Sequence, residues 1–202
     1  MKSIVQIKFD KIIHEGFQQT LKPLRFRKKA NNFYLFQNGI GHIINIQKSQ
    51  YGSNDHIKFT INTGIFLPEF WSAFYNYFDK VVPNFPTESE CILRMRIGRL
   101  KTQPDLWYDI NQETEEMFLI EEMRRNLDKF ILPHFDQVRS KDMLVDMLDK
   151  QTTTSPLEKL IVFGELGHIE KATREFQRLL SEARNPHFQM TVEEYGRKYG
   201  LT

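Results

Sequence analysis

The sequence predicts an α+β fold, with an N-terminal helix packed on a 4–5-stranded antiparallel sheet and a C-terminal helical bundle after it. Three observations predict this. The first segment repeats its apolar residues with a helical period. Several middle segments alternate apolar and polar residues, and one turn between them is Asn38-Gly39. From Asn111 to the end, every apolar pattern is helical. Strands followed by a run of helices argue against an alternating α/β arrangement.

The first helix is expected from about Ile4 to Leu21. Val5, Phe9, Ile12, Ile13 and Phe17 mark one face at a period near 3.6 residues, and Pro23 stops it. Asn32–Gln37 reads as an aromatic strand and Ile40–Lys48 as its return, because a type I′ turn needs positive φ at both central residues. Tyr51–Asp55 is a polar loop. His56–Phe66 alternates Ile57, Phe59, Ile61, Thr63 and Ile65 against Lys58, Thr60 and Asn62. Pro68 opens an aromatic segment with Phe70, Trp71, Phe74, Tyr75 and Phe78 at helical spacing, expected to form one buried face that leaves for solvent at Asp79 and Lys80. Cys91–Leu100 alternates again, and Trp107–Ile110 reads as a last short strand.

Asn111 is expected to cap the next helix, whose buried stripe is Met117, Ile120, Met123, Leu127 and Phe130. Pro133 is expected to interrupt it. A second helix then covers about His134–Lys150, with Phe135, Val138, Met143, Leu144, Met147 and Leu148 as core. Ser155-Pro156 begins a third, Gly167 divides Leu157–Leu166 from His168–Ala183, and a short helix closes the chain at about Thr191–Tyr199. Residues 1–150 therefore read as an α+β domain, and 151–202 as a helical hairpin plus short helix docked on it.

Composition removes several classes. Leu, Ile, Val and Phe make up 60 of 202 residues, far above a disordered chain. Cys91 is the sole cysteine, so no disulfide scaffold exists. No apolar run approaches the roughly 18 residues a membrane helix needs, and the polar residues among Met1–Asp10 do not suit a signal peptide, so a cytoplasmic protein with no membrane association is expected. Net charge is only +2, but residues 1–104 carry +8 and residues 105–202 carry −6. Such asymmetry suits either an anion-binding half or internal pairing between the halves.

Motifs of known chemistry are missing. Gly39-Ile40-Gly41 is hairpin chemistry rather than a phosphate loop. His14, His42, His56, His134, His168 and His187 show no ligand spacing, although His42 and His56 could approach across neighbouring strands. No nucleophile elbow occurs, and Cys91 reads as a small buried hydrophobe. No catalytic residue, metal or cofactor is called for. Arg25, Arg27, Lys28 and Lys29 before Phe33–Phe36 interleave basic and aromatic residues as single-strand binders do, yet a charged loop entering a strand explains them as well, and the RNA-recognition signature is absent.

The candidate partner- or anion-binding site is the sheet's polar face. Alternation places Asn45 and Gln47 on one strand, Thr60 and Asn62 on the next, and Arg94 and Arg96 on a third. Amides beside two guanidinium groups suit a carboxylate, a phosphate or an acidic loop. Arg94 and Arg96 could equally pair with Asp or Glu of the acidic half.

Leu24–Phe26 with Lys28 and Phe33, Asn45-Ile46-Gln47-Lys48-Ser49, Phe59-Thr60-Ile61-Asn62-x-Gly64-Ile65, Arg96-Ile97-Gly98-Arg99-Leu100 and Asp105-x-Trp107-Tyr108 form a set. Over about residues 5–135 the chain resembles a bacterial family known as domain of unknown function 4304, with Tyr108 where a second tryptophan is expected. The resemblance implies a bacterial, intracellular protein and brings no catalytic residues. Separately, Leu166–Ala172 with Phe176 and Leu179 is similar to part of one tetratricopeptide unit, where a stable array needs about three. The expected function is a non-enzymatic binding or interaction module, of which immunity-like partner binding is one form. The alternatives are a nucleic-acid-binding protein and an enzyme of unrecognised type.

Overall fold

A computed structural model of the chain describes residues 2–51, 53, 55–75 and 81–202. Gly52 and Asn54 of the polar loop, and Phe78, Asp79 and Lys80 of the aromatic segment, lie outside the described residues. The chain forms two compact units. The described residues of 1–37, 41–66 and 84–137 make the first, and those of 38–40, 67–83 and 138–202 make the second.

The first unit is a helix-covered antiparallel sheet of six strands rather than four or five. They are β1 (Arg27–Lys29), β2 (Asn32–Gln37), β3 (Ile40–Lys48), β4 (Ile57–Phe66), β5 (Leu93–Arg96) and β6 (Tyr108–Ile110). The order is β1-β2-β3-β4-β5, with β6 also paired to β4. Phe59 pairs with Lys48 on one side and Tyr108 on the other, so β5 and β6 share the edge of β4 away from β3. The turn between β2 and β3 follows the Asn-Gly expectation, with φ of 51° at Asn38 and 78° at Gly39.

Helix α1 (Ile4–Ile12) starts at Ser3, whose hydroxyl accepts from the Gln6 amide, and runs on through a widened turn at Ile13–Gln18 to Leu21. Val5, Phe9, Ile12, Ile13 and Phe17 are all buried, as their period requires. Phe9 meets Phe59 edge-on at 5.6 Å, and Phe17 stacks on Phe33 at 5.9 Å. Gly16 lies in the widened turn, where a Cβ would stand 2.9 Å from Met123 Cβ; glycine there lets α3 (Glu116–Asn126) approach closely.

Several expectations need correction. Where the sequence predicts a charged loop, β1 is a short, exposed edge strand whose lysines discourage further pairing. The strand expected over Cys91–Leu100 is confined to Leu93–Arg96, because the chain turns into a helical turn at Ile97–Leu100 and folds so tightly that a Cβ on Gly98 would lie 2.4 Å from the Pro104 carbonyl oxygen. Asn111 caps a turn rather than the helix: its side chain accepts from the Glu113 amide, while α3 begins at Glu116. Met117, in that first turn, is 52% exposed. A second widened turn, Leu127–Ile131, shifts the stripe by one residue, so Ile131 is buried in place of Phe130. Pro133 does not interrupt the helix. The backbone stays helical from Glu116 to Asp136, and Pro133 follows directly on the widened turn at Leu127–Ile131, where the regular bonding ladder is already broken. His42 is buried and stacks on Phe135 at 4.7 Å, whereas His56 contacts Asp109; His42 pairs with Ile65, so the two histidines stand at opposite ends of the ladder.

The second unit gathers α2 (Pro68–Phe74), α4 (Lys141–Lys150), α5 (Pro156–Glu165), α6 (Ile169–Glu182) and α7 (Pro186–Lys198). The helix expected over His134–Lys150 begins only at Lys141, because Ser140 caps it by accepting from the Met143 amide; Met143 itself is exposed rather than core. Helix α7 starts at Pro186 rather than near Thr191, since Asn185 accepts from the His187 amide and Pro186 occupies the first position. Helices α2 and α5 pack together, α5 pairs with α6, and α7 covers α6. Phe70 and Trp71 of α2 are buried, Trp71 to 3% exposure, whereas Phe74, expected on the same buried face, is 39% exposed. Tyr195 donates to the Ala73 carbonyl at 3.2 Å, and Tyr199 donates to Glu165 at 2.9 Å.

Candidate functional site

The six residues singled out from the sequence share one face of the first unit's sheet. The pairings Asn45↔Asn62, Gln47↔Thr60, Asn62↔Arg96 and Gly64↔Arg94 put Asn45, Asn62 and Arg96 in one row across three strands. Directly opposed residues point the same way in an antiparallel ladder. The alternating partners Phe59 and Ile61 are buried beneath the helices.

The row is a continuous hydrogen-bonded chain. Asn45 Nδ2 donates to Asn32 Oδ1 at 2.8 Å. Asn62 Nδ2 donates to Asn45 Oδ1 at 3.1 Å and to Gln47 Oε1 at 2.9 Å. Arg96 Nε donates to Asn62 Oδ1 at 3.1 Å, and Arg96 Nη1 donates to Asp105 Oδ1 at 2.6 Å. Trp107 Nε1 donates to Asp105 Oδ2 at 2.8 Å. Thr60 turns aside and donates to the Leu106 carbonyl at 2.7 Å, anchoring the segment that carries Asp105 and Trp107.

Arg94 is held separately. Its Nε and Nη2 donate to the two oxygens of Glu88 at 2.7 and 3.2 Å. Glu88 sits on a single turn, Glu88–Glu90, fixed by reciprocal bonds between Thr87 and Glu90. Both arginines are thus paired with carboxylates, one from each charge half of the chain. An ion pair with the exposure of Arg94 and Glu88 stabilises by up to about 1 kcal/mol, so it holds a geometry more than it holds the fold.

Local packing decides how much of the face is open. At Gly64 a Cβ would stand 2.4 Å from Cys91 Sγ, so that end of the face is covered by the chain entering β5. Tyr34 also lies against Gly41, with Arg27 over its ring at 5.3 Å, and burial raises its hydroxyl pKa to about 12 against the pull of Arg27. The other end is open at Gln47, Arg94 and Arg99, whereas Thr60 at 0% and Asn62 at 6% exposure lie buried at its floor. A cleft of about 220 Å³ is lined by Gln47, Asn62, Glu88, Arg94, Arg96 and Arg99, together with Met95. A second groove of about 520 Å³ runs from Gln47 past Tyr51 and Lys58 to Trp107. The Arg96 guanidinium lies over the Trp107 ring at 5.6 Å, and together their hydrogen bonds hold the Asp105 carboxyl below its ordinary pKa.

Glu88, Arg99, Asp105 and Trp107 were not singled out for the site from the sequence. They come from turns, where no periodicity marks a face. Arg99, Asp105 and Trp107 do fall within the Arg96–Leu100 and Asp105–Tyr108 motifs. Tyr108, the departure from the second motif, is buried and its hydroxyl accepts from Asn126 Nδ2 at 2.8 Å. Among the described residues, no group of three His, Cys, Asp or Glu side chains is placed to hold a metal ion, and no helix is long and apolar enough to cross a membrane.

The sequence model of one family, described as Domain of unknown function (DUF4304), matches residues 17–137. The match takes in β1 to β6 and every residue of the polar face. No curated protein and no solved structure matches the chain.

Proposed function

The chain belongs to the DUF4304 family, and on that premise we propose that it is a bacterial, intracellular, non-enzymatic binding module whose polar sheet face receives an acidic segment of another protein. The observation that carries this reading is the convergence of Arg94, Arg96 and Arg99 on one open cleft beside the amides of Gln47 and Asn62. Guanidinium groups fork onto carboxylates with two parallel donors. The openness of both grooves suits a protein segment better than an enclosed small molecule, which needs most of its surface buried. Glu88, Asp105 and Asp109 are interspersed with the basic residues, a pattern that repels a continuous phosphate backbone and favours a partner presenting discrete acidic side chains. An immunity-like role is one biological setting for such a surface.

The test uses fluorescein-labelled hexaglutamate and anisotropy. Wild-type protein is expected to bind it, with affinity falling as salt rises. The double variant R94Q/R96Q is expected to lose at least about tenfold in affinity while its melting temperature moves by less than roughly 4 °C, since each ion pair has one partner more than half exposed, Arg94 in one and Asp105 in the other. A large stability loss would mean that the arginines hold the fold together, and the reading would be dropped.

A further inference from the structure

Asp105 is an unusual neighbour for a surface arginine, because both of its oxygens are spoken for by different donors. Oδ1 accepts from Arg96 at 2.6 Å and Oδ2 from the Trp107 indole at 2.8 Å. The two donors are themselves stacked, and Arg96 is steadied from behind by Asn62. The result is a cradle with one donor for each oxygen of a single planar carboxylate.

The occupant comes from the chain itself and is weakly held. Asp105 has a side chain 53% exposed, on the excursion between β5 and β6. The base of that excursion is fixed independently: the Gln103 amide donates to the Gly98 carbonyl at 2.8 Å, and Thr60 ties down Leu106. The Asp105 side chain can therefore swing into water without unfolding the segment, leaving Arg96 and Trp107 in place.

We propose that Arg96 and Trp107 form a carboxylate-binding site that Asp105 occupies in the free protein and that a carboxylate of the acidic partner takes over on binding. The inference rests on the function proposed above and adds to it the ligand class and an internal competitor. Asp105 sets a threshold: a single stray carboxylate gains little by displacing it, whereas a segment that also engages Arg94 and Arg99 gains more than the exchange costs.

The experiment titrates labelled hexaglutamate into D105N, D105A and D105N/W107F beside the wild type. Removing an exposed competitor is expected to tighten binding about fivefold in D105N, and in D105A as a check on the residual acceptor of asparagine. W107F keeps an aromatic face for Arg96 and removes the indole donor, so D105N/W107F is expected to fall back toward the wild-type affinity. Inorganic phosphate at equal charge should displace the peptide less well than glutarate does. If D105N and D105A bind no more tightly while R94Q/R96Q still abolishes binding, the internal competitor is overturned and the binding face stands. If phosphate displaces the peptide as well as glutarate does, the carboxylate class is overturned. If neither the wild type nor D105N binds hexaglutamate, the binding face falls together with the inference.

Discussion

A chain ending at Lys150 should lose the fold of α2 and α4, and with it solubility. Removing residues 151–202 removes α5, whose Leu160, Ile161, Val162 and Phe163 are all fully buried. Each such side chain contributes roughly 1.5–3 kcal/mol by burial. Together they approach the whole stability of an ordinary domain, about 5–15 kcal/mol. The fragment would present Phe70 and Trp71 of α2 and the apolar side of α4 to water, an exposed patch soluble monomers rarely carry. Helical circular dichroism should fall by more than the deleted residues account for, and the fragment should aggregate or melt at least about 10 °C lower. A fully soluble fragment with an unchanged melting temperature would show that residues 151–202 flex rather than dock.

Phe59→Ala should be the most damaging single truncation in the first unit. Phe59 lies at 0% exposure in β4, between the rings of Phe9 at 5.6 Å and Tyr108 at 5.3 Å. Phenylalanine-to-alanine changes in such cores cost about 3–5 kcal/mol, through lost transfer energy and the cavity left behind. For a chain of this length that corresponds to a fall of roughly 10 °C in melting temperature. The denaturant midpoint should move with its slope unchanged. A loss below about 1 kcal/mol would mean that α1 does not seal the sheet at this point.

Period-two alternation in the sequence marks the sheet and its polar face. Asn38-Gly39 marked the hairpin, and the alternation of β3 and β4 put Asn45, Gln47, Thr60 and Asn62 on one side, as the register then has them. Which residues oppose one another was hidden, because strand order and register depend on long-range pairing that a single strand does not encode. The one-turn element bearing Glu88 and the excursion bearing Asp105 and Trp107 carry no periodicity at all. Helix boundaries failed for a similar reason. The widened turns at Ile13–Gln18 and Leu127–Ile131 break the 3.6-residue rhythm, so a regular period points to Phe130 where the structure buries Ile131. β1 is three residues long, too short for any pattern to distinguish it from a charged loop.

If a partner's carboxylates bind at the open polar face, nuclear magnetic resonance of the ¹⁵N-labelled full chain during a hexaglutamate titration will locate them there. The expected result is a saturable set of shifts confined to the side-chain amides of Asn45, Gln47 and Asn62, the Arg94 and Arg96 Nε–H groups, the Trp107 indole N–H and their backbone neighbours. Shifts centred on α1, α3 or the second unit, or no saturable shifts at all, would contradict it.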